Sequence, residues 1–133
     1  MALRLIDVFQ NVEEGEPGID IAKNANFSSK VFNVGDLNWS GTDMEIGFMV
    51  IADSATTSTS VTIELYGSFD GLNFDSAIAI ITTTNIADGN ADFGSLNLGK
   101  PYPYIYVKAT ENNSNPVVNL RVVLSIPTTG GRR

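Results

Sequence analysis

The stretch from residue 61 to residue 83, VTIELYGSFDGLNFDSAIAIITT, decides the fold. Val61, Ile63 and Leu65 alternate with Thr62, Glu64 and Tyr66, the period of a strand with one face in a core and the other in water. A second run of β-formers, Ala77 to Thr83, follows the polar knuckle Ser68-Phe69-Asp70-Gly71-Leu72-Asn73. Asp-Gly between two such runs is a strong hairpin signal. The reading is a β-hairpin with a tight turn at Asp70-Gly71, near the middle of an all-β domain.

Both flanks carry more strands. Pro103 to Thr110 alternates, with Ile105, Val107 and Ala109 inward and Tyr104, Tyr106 and Lys108 outward. Tyr102, Tyr104 and Tyr106 then share one face of that strand. Val117 to Ile126 puts Val118, Leu120, Val122, Leu124 and Ile126 on one face. Between these and the hairpin, Ala91-Asp92-Phe93 lies among turn formers and reads as a short strand or an irregular crossing. Upstream, Glu45 to Ala52 is apolar on both parities and is expected to be a central strand covered on both faces. Ile19 to Ala22 and Lys30 to Val34 read as short strands. About eight strands spaced roughly 8 to 15 residues apart point to an antiparallel β-sandwich, of jelly-roll type. No segment carries a helical apolar stripe.

The expected organisation is an arm or first strand over 1–18, the sandwich over 19–126 and a flexible basic tail over 127–133. Leu3, Leu5, Val8 and Phe9 make the first segment apolar before Glu13-Glu14-Gly15-Glu16-Pro17-Gly18 stops any regular element. These four are candidate protein contacts if the segment is an arm. The loop Leu37-Asn38-Trp39-Ser40 holds the only tryptophan, a candidate platform or a plug at one end of the sandwich.

Composition narrows the function. The 133 residues include no cysteine and no histidine, which removes thiolate metal sites, disulfides and the commonest general base. A net charge of -7 opposes phosphate backbones, so nucleic acid is not an expected partner. No run nears the roughly 20 apolar residues of a membrane span, and Asp7 interrupts the start before a signal-peptide core, so synthesis in a reducing cytosol is expected. Asp88, Asn90 and Asp92 have the alternate spacing of calcium ligands, but Phe93 and Gly99 stand where that loop requires Gly and Glu, and turn chemistry is the simpler reading. Asp70 and Asp75 likewise read as turn formers. No cofactor, metal or catalytic set is expected, and hence no enzyme.

With the strands in order, the stretch from Glu45 to Ile126 resembles the small jelly-roll cement or decoration proteins of tailed-bacteriophage capsids. The likeness is carried by the strand and Ser-x-Asp-Gly-x-x-Phe knuckle of VTIELYGSFDGLNF, the strand Pro-Tyr-Ile-Tyr-Val-Lys-Ala and the closing Val-Asn-Leu-Arg-Val-Val-Leu. It implies a non-catalytic homotrimer on the outer capsid surface, with the major capsid protein as partner, clamping neighbouring capsomers. The hairpin tip, with Phe69, Asp70 and Leu72, then becomes a candidate contact, together with Trp39, Tyr104 and Tyr106. The alternatives are a carbohydrate-binding sandwich that stacks sugars on Trp39 and the tyrosines, and a phage tail or baseplate component.

Overall fold

The computed structural model of the chain describes residues 2–9, 18–35, 45–52, 60–84, 91–112 and 117–128. Among these residues there is no helix. The strands are β1 (Ala2–Asp7), β2 (Ile19–Ile21), β3 (Asn26–Ser28), β4 (Phe32–Asn33), β5 (Glu45–Ile51), β6 (Ser60–Ser68), β7 (Ala79–Thr84), β8 (Ala91–Asn97), β9 (Tyr104–Glu111) and β10 (Val117–Thr128). They form two antiparallel sheets, β1-β10-β5-β8 with β2 also on β10, and β3-β9-β6-β7 with β4 also on β9.

That order is one long antiparallel ribbon rolled up. β1 pairs β10, β3 and β4 pair β9, β5 pairs β8, and β6 pairs β7, while β10–β5 and β9–β6 join successive turns of the ribbon. It is the jelly roll expected from the strand spacing, and the β6–β7 hairpin is its innermost fold. Because β6 pairs β9 from Tyr104 to Glu111, β3 and β4 share the opposite edge of β9 as one interrupted strand. Ser29 bridges the interruption, its hydroxyl accepting the Val107 N–H at 2.9 Å.

Apolar residues at every second position close the core between the sheets. Ile46, Phe48, Val50, Leu120, Val122, Leu124 and Ile126 face Val61, Ile63, Leu65, Ile105, Val107 and Ala109, all buried. Two edges carry inward charges. Arg4, opposite buried Ile126, donates through Nη1 to the Asn33 carbonyl of the other sheet at 2.7 Å. Asp92 lies opposite buried Val50 on edge strand β8. Inward charges on edge strands discourage pairing with a foreign strand.

Several expectations need correction. The face of β10 does not run unbroken through Val118: a bulge between Val117 and Leu120, with Asn119 at φ 54°, buries Val117 and turns Val118 outward. β5 is central, but only Ile46, Phe48 and Val50 are buried; Met49 and Ile51 on its other face are half-buried. The Asp70-Gly71 knuckle is not a two-residue turn. β7 starts only at Ala79, opposite Leu65, and the wider connection is closed by the Asp75 N–H to the Gly67 carbonyl at 2.9 Å and a bridge between Ser68 and Phe74. β3 was not visible in the pattern, and of the two readings for Ala91-Asp92-Phe93, a short strand or an irregular crossing, the strand holds and extends to seven residues as β8. The N-terminal residues 2–7 form a strand of the chain's own sheet.

Candidate interaction site

The loop after β6 is built around two polar side chains. Ser68 is buried, and its Oγ accepts the N–H groups of Gly71 at 2.8 Å and Asp70 at 3.2 Å while donating to Asp70 Oδ1. Asp70 Oδ1 accepts the N–H groups of Leu72 and Asn73, both at 2.8 Å, and Oδ2 accepts the Asn73 amide at 2.7 Å. Gly71 sits at φ 80°, a backbone region open to glycine at little cost. The donors stabilise a charged carboxylate: the Asn73 and Leu72 N–H groups foremost, then the Asn73 amide and Ser68 hydroxyl, hold Asp70 far below the usual carboxylate range. The loop is thereby fixed from within, and it holds Phe69 64% and Leu72 84% exposed.

Beneath the loop lies an aromatic bed. Phe69 stacks on Tyr102 with centroids 5.1 Å apart, and the Tyr104 ring rests against Gly71. Tyr106 stacks on Tyr66 at 4.8 Å with the rings almost parallel, and meets Phe74 edge to face at 4.9 Å. Such pairs add about 0.5–1.5 kcal/mol each beyond their area burial. The Tyr66 hydroxyl donates to Glu64 Oε2 at 3.0 Å, and burial followed by that bond pushes its pKa up. The outward face of β6 and β9 thus reads in rows as Thr62–Thr110, Glu64–Lys108, Tyr66–Tyr106 and Ser68–Tyr104.

Tyr102 was expected on this face but lies in the core, 1% exposed and ahead of β9. The backbone turns at Gly99 (φ 74°) and the Tyr102 N–H bonds the Lys100 carbonyl, which carries the ring inward onto Gly67. A Cβ at Gly67 would collide with the ring, so that glycine makes room for it. The Tyr102 hydroxyl donates to Asp75, which Lys100 Nζ also reaches at 3.2 Å. The hydroxyl, then Lys100 and the Ser76 N–H, lower the Asp75 pKa; burial first and then Asp75 raise that of Tyr102.

The structure therefore brings Phe69, Asp70, Leu72, Tyr104 and Tyr106 into one surface. It does not add the N-terminal candidates. Val8 and Phe9 are buried, with Phe9 edge-on to Phe27 at 5.9 Å, and so serve the core rather than an outside contact. Leu5 is exposed on the other sheet, and Leu3 lies in β1 opposite Pro127. Trp39, Asp88 and Asn90 fall outside the described residues. Ser68, Phe74 and Asp75 complete the site and were not singled out as contacts by the sequence. Among the described residues no three acidic groups gather as a metal site.

No protein-family model matches the chain, and no curated protein is significantly similar to it. Some solved structures are similar to it. The PBSX exported protein XepA is 10% identical over 94% of this chain, with a TM-score of 0.56; the match takes in 37% of XepA, so the chain spans little more than a third of that protein. A Bacillus endospore appendage pilus protein is 12% identical, covering 96% of this chain and 90% of its own, with a TM-score of 0.49. A protein of the infectious bursal disease virus Gx strain is 11% identical, covering 99% of this chain and 34% of its own, also at 0.49.

Proposed function

We propose that the chain is a non-catalytic structural virion protein that binds the outer surface of a phage capsid and steadies it by clamping neighbouring capsomers, with the hairpin tip as its capsid contact. The observation that carries this reading is the preformed tip: a loop cross-braced by Ser68 and Asp70 that holds Phe69 and Leu72 in solvent on a bed of stacked rings. A contact loop ordered before it binds loses little freedom on docking, so each copy adds affinity at low entropic cost. Many copies contributing modest interfaces then stabilise a shell by mass action. The jelly-roll likeness to XepA, an exported protein of PBSX, is compatible with a phage structural role.

Two of the tyrosines that the carbohydrate reading would use, Tyr102 and Tyr106, are not free platforms. Tyr102 is buried, and Tyr66, Tyr106 and Phe74 turn on one another instead of presenting a free ring face.

The test is co-sedimentation with undecorated phage capsids assembled from purified major capsid protein. The wild-type chain is expected to pellet with the shells to a fixed stoichiometry. Leu72→Glu, which changes the most exposed apolar side chain of the tip and no internal bond, is expected to abolish pelleting. Absence of wild-type binding at every stoichiometry overturns the reading.

A further inference from the structure

The outward face of the β1-β10-β5-β8 sheet carries an apolar strip, and its two largest exposed apolar side chains, Phe93 and Leu5, stand in water. Register places Asp7, Val123, Met49 and Phe93 in one row across four strands. The next row is Leu5, Ser125, Gly47 and Ser95, and Arg121, Ile51 and Ala91 form a third. Phe93 is 71% exposed and Leu5 69%, with Met49, Ile51 and Val123 half-buried between them. Two large apolar side chains standing in water on opposite edges of one flat face mark an interaction surface.

We infer that this face packs on the same face of a second copy of the chain, related by a two-fold axis. Charge is the first argument. The chain carries -7 overall, so two copies repel one another on net. The ionisable groups within these rows are Asp7 and Arg121, which pair with each other, Oδ2 to Nη2 at 3.7 Å. Glu45 and Asp20 stand at the ends of the face, and the Asp20 carboxylate accepts the Asn119 N–H. Copies can therefore meet over the central rows without opposing unpaired like charges.

Shape is the second argument. Two identical sheets share one twist, and sheets of equal twist stack face to face about 10 Å apart at a small angle, as the two halves of a sandwich do. Four strands about 4.8 Å apart and about seven residues long give roughly 450 Å² of flat face per copy, or roughly 900 Å² for a pair before side-chain relief. That falls below the roughly 1,200–2,000 Å² of a stable interface and in the range of weak, transient ones, so the pair forms reversibly and with concentration. Pairing by this face takes the place of the trimer implied by the capsid-protein resemblance.

The test is sedimentation velocity of the purified full chain over a wide concentration range, without capsids, so that its outcome is independent of the capsid reading. The weight-average mass is expected to rise from one chain towards two and to level there. Phe93→Glu and Leu5→Glu, both at exposed positions and checked for folding by circular dichroism, are each expected to weaken the association about tenfold or more. Leu72→Glu is expected to leave it unchanged. A wild-type chain that stays monomeric, one that levels at three copies, or a dimer indifferent to both face substitutions overturns the inference.

Discussion

The two sheets hide similar inner faces and present opposite outer ones. Over β6 and β9 the chain finishes its own surface: the tip folds back so that Gly71 meets Tyr104 and Phe74 meets Tyr106, while Phe69 stacks on Tyr102 of the core. Over β10 and β5 it leaves Phe93 and Leu5 standing in water with Met49 and Val123 between them. The first surface gains its order from internal bonds and offers a shaped projection. The second is flat and apolar and gains only when something covers it. A single ribbon rolled into two layers can thus carry two contacts of different kind, one preformed and one completed by a neighbour.

Removing an aromatic ring from each side separates them most sharply. Tyr102→Ala empties a buried site and removes one of the donors to Asp75, and should cost about 3–5 kcal/mol, against a change within about 0.5 kcal/mol for exposed Phe93→Ala; urea unfolding of both variants measures the contrast. Next comes Gly67→Ala, which drives a methyl into the Tyr102 ring and should cost about 1–3 kcal/mol by the same assay. If Gly67→Ala is neutral, Tyr102 is not the anchor beneath the tip.

Acid gives a smaller, local effect. Asp70 and Asp75 both titrate below their ordinary value of 3.8 in the folded chain, so their contribution is fully present above that pH and is lost as pH falls through the depressed values. Amide exchange, corrected for its intrinsic pH dependence, should lose protection at Leu72 and Asn73 as the pH drops below 3.8, while the amides of β5 and β10 hold theirs. Asp70→Ala should produce the same local loss at neutral pH. Uniform loss over both sheets would erase the distinction between the two surfaces.

Much of this was legible in the chain because burial on one face writes period-two patterns. Ile105 to Ala109 and Val61 to Leu65 show theirs plainly, and the spacing of such runs was enough for a jelly roll. The exceptions are places where tertiary structure overrode the local pattern. The bulge at Asn119 exchanges Val117 for Val118, because one extra residue reverses every side chain beyond it. Asn26, Phe27 and Ser28 are all exposed and pair only along β9, so they leave no alternation to read. Tyr102 looks like one step of a tyrosine ladder until the turn at Gly99 and the vacancy at Gly67 are seen together, and these lie 32 residues apart in sequence. Within the site, turn chemistry placed Phe69, Asp70 and Leu72 at the hairpin tip, and the family resemblance made that tip a candidate contact. Ser68 and Asp75 did not, since their partners are defined only once the loop closes.

The most direct measurement of the account is to assay wild type, Leu72→Glu and Phe93→Glu side by side for capsid co-sedimentation and for self-association. The expected result is a crossed loss: Leu72→Glu stops binding shells yet still pairs with itself, and Phe93→Glu stops pairing yet still reaches the shell, with reduced occupancy. One substitution abolishing both activities, or neither substitution affecting either, would contradict a molecule with two separate contact surfaces.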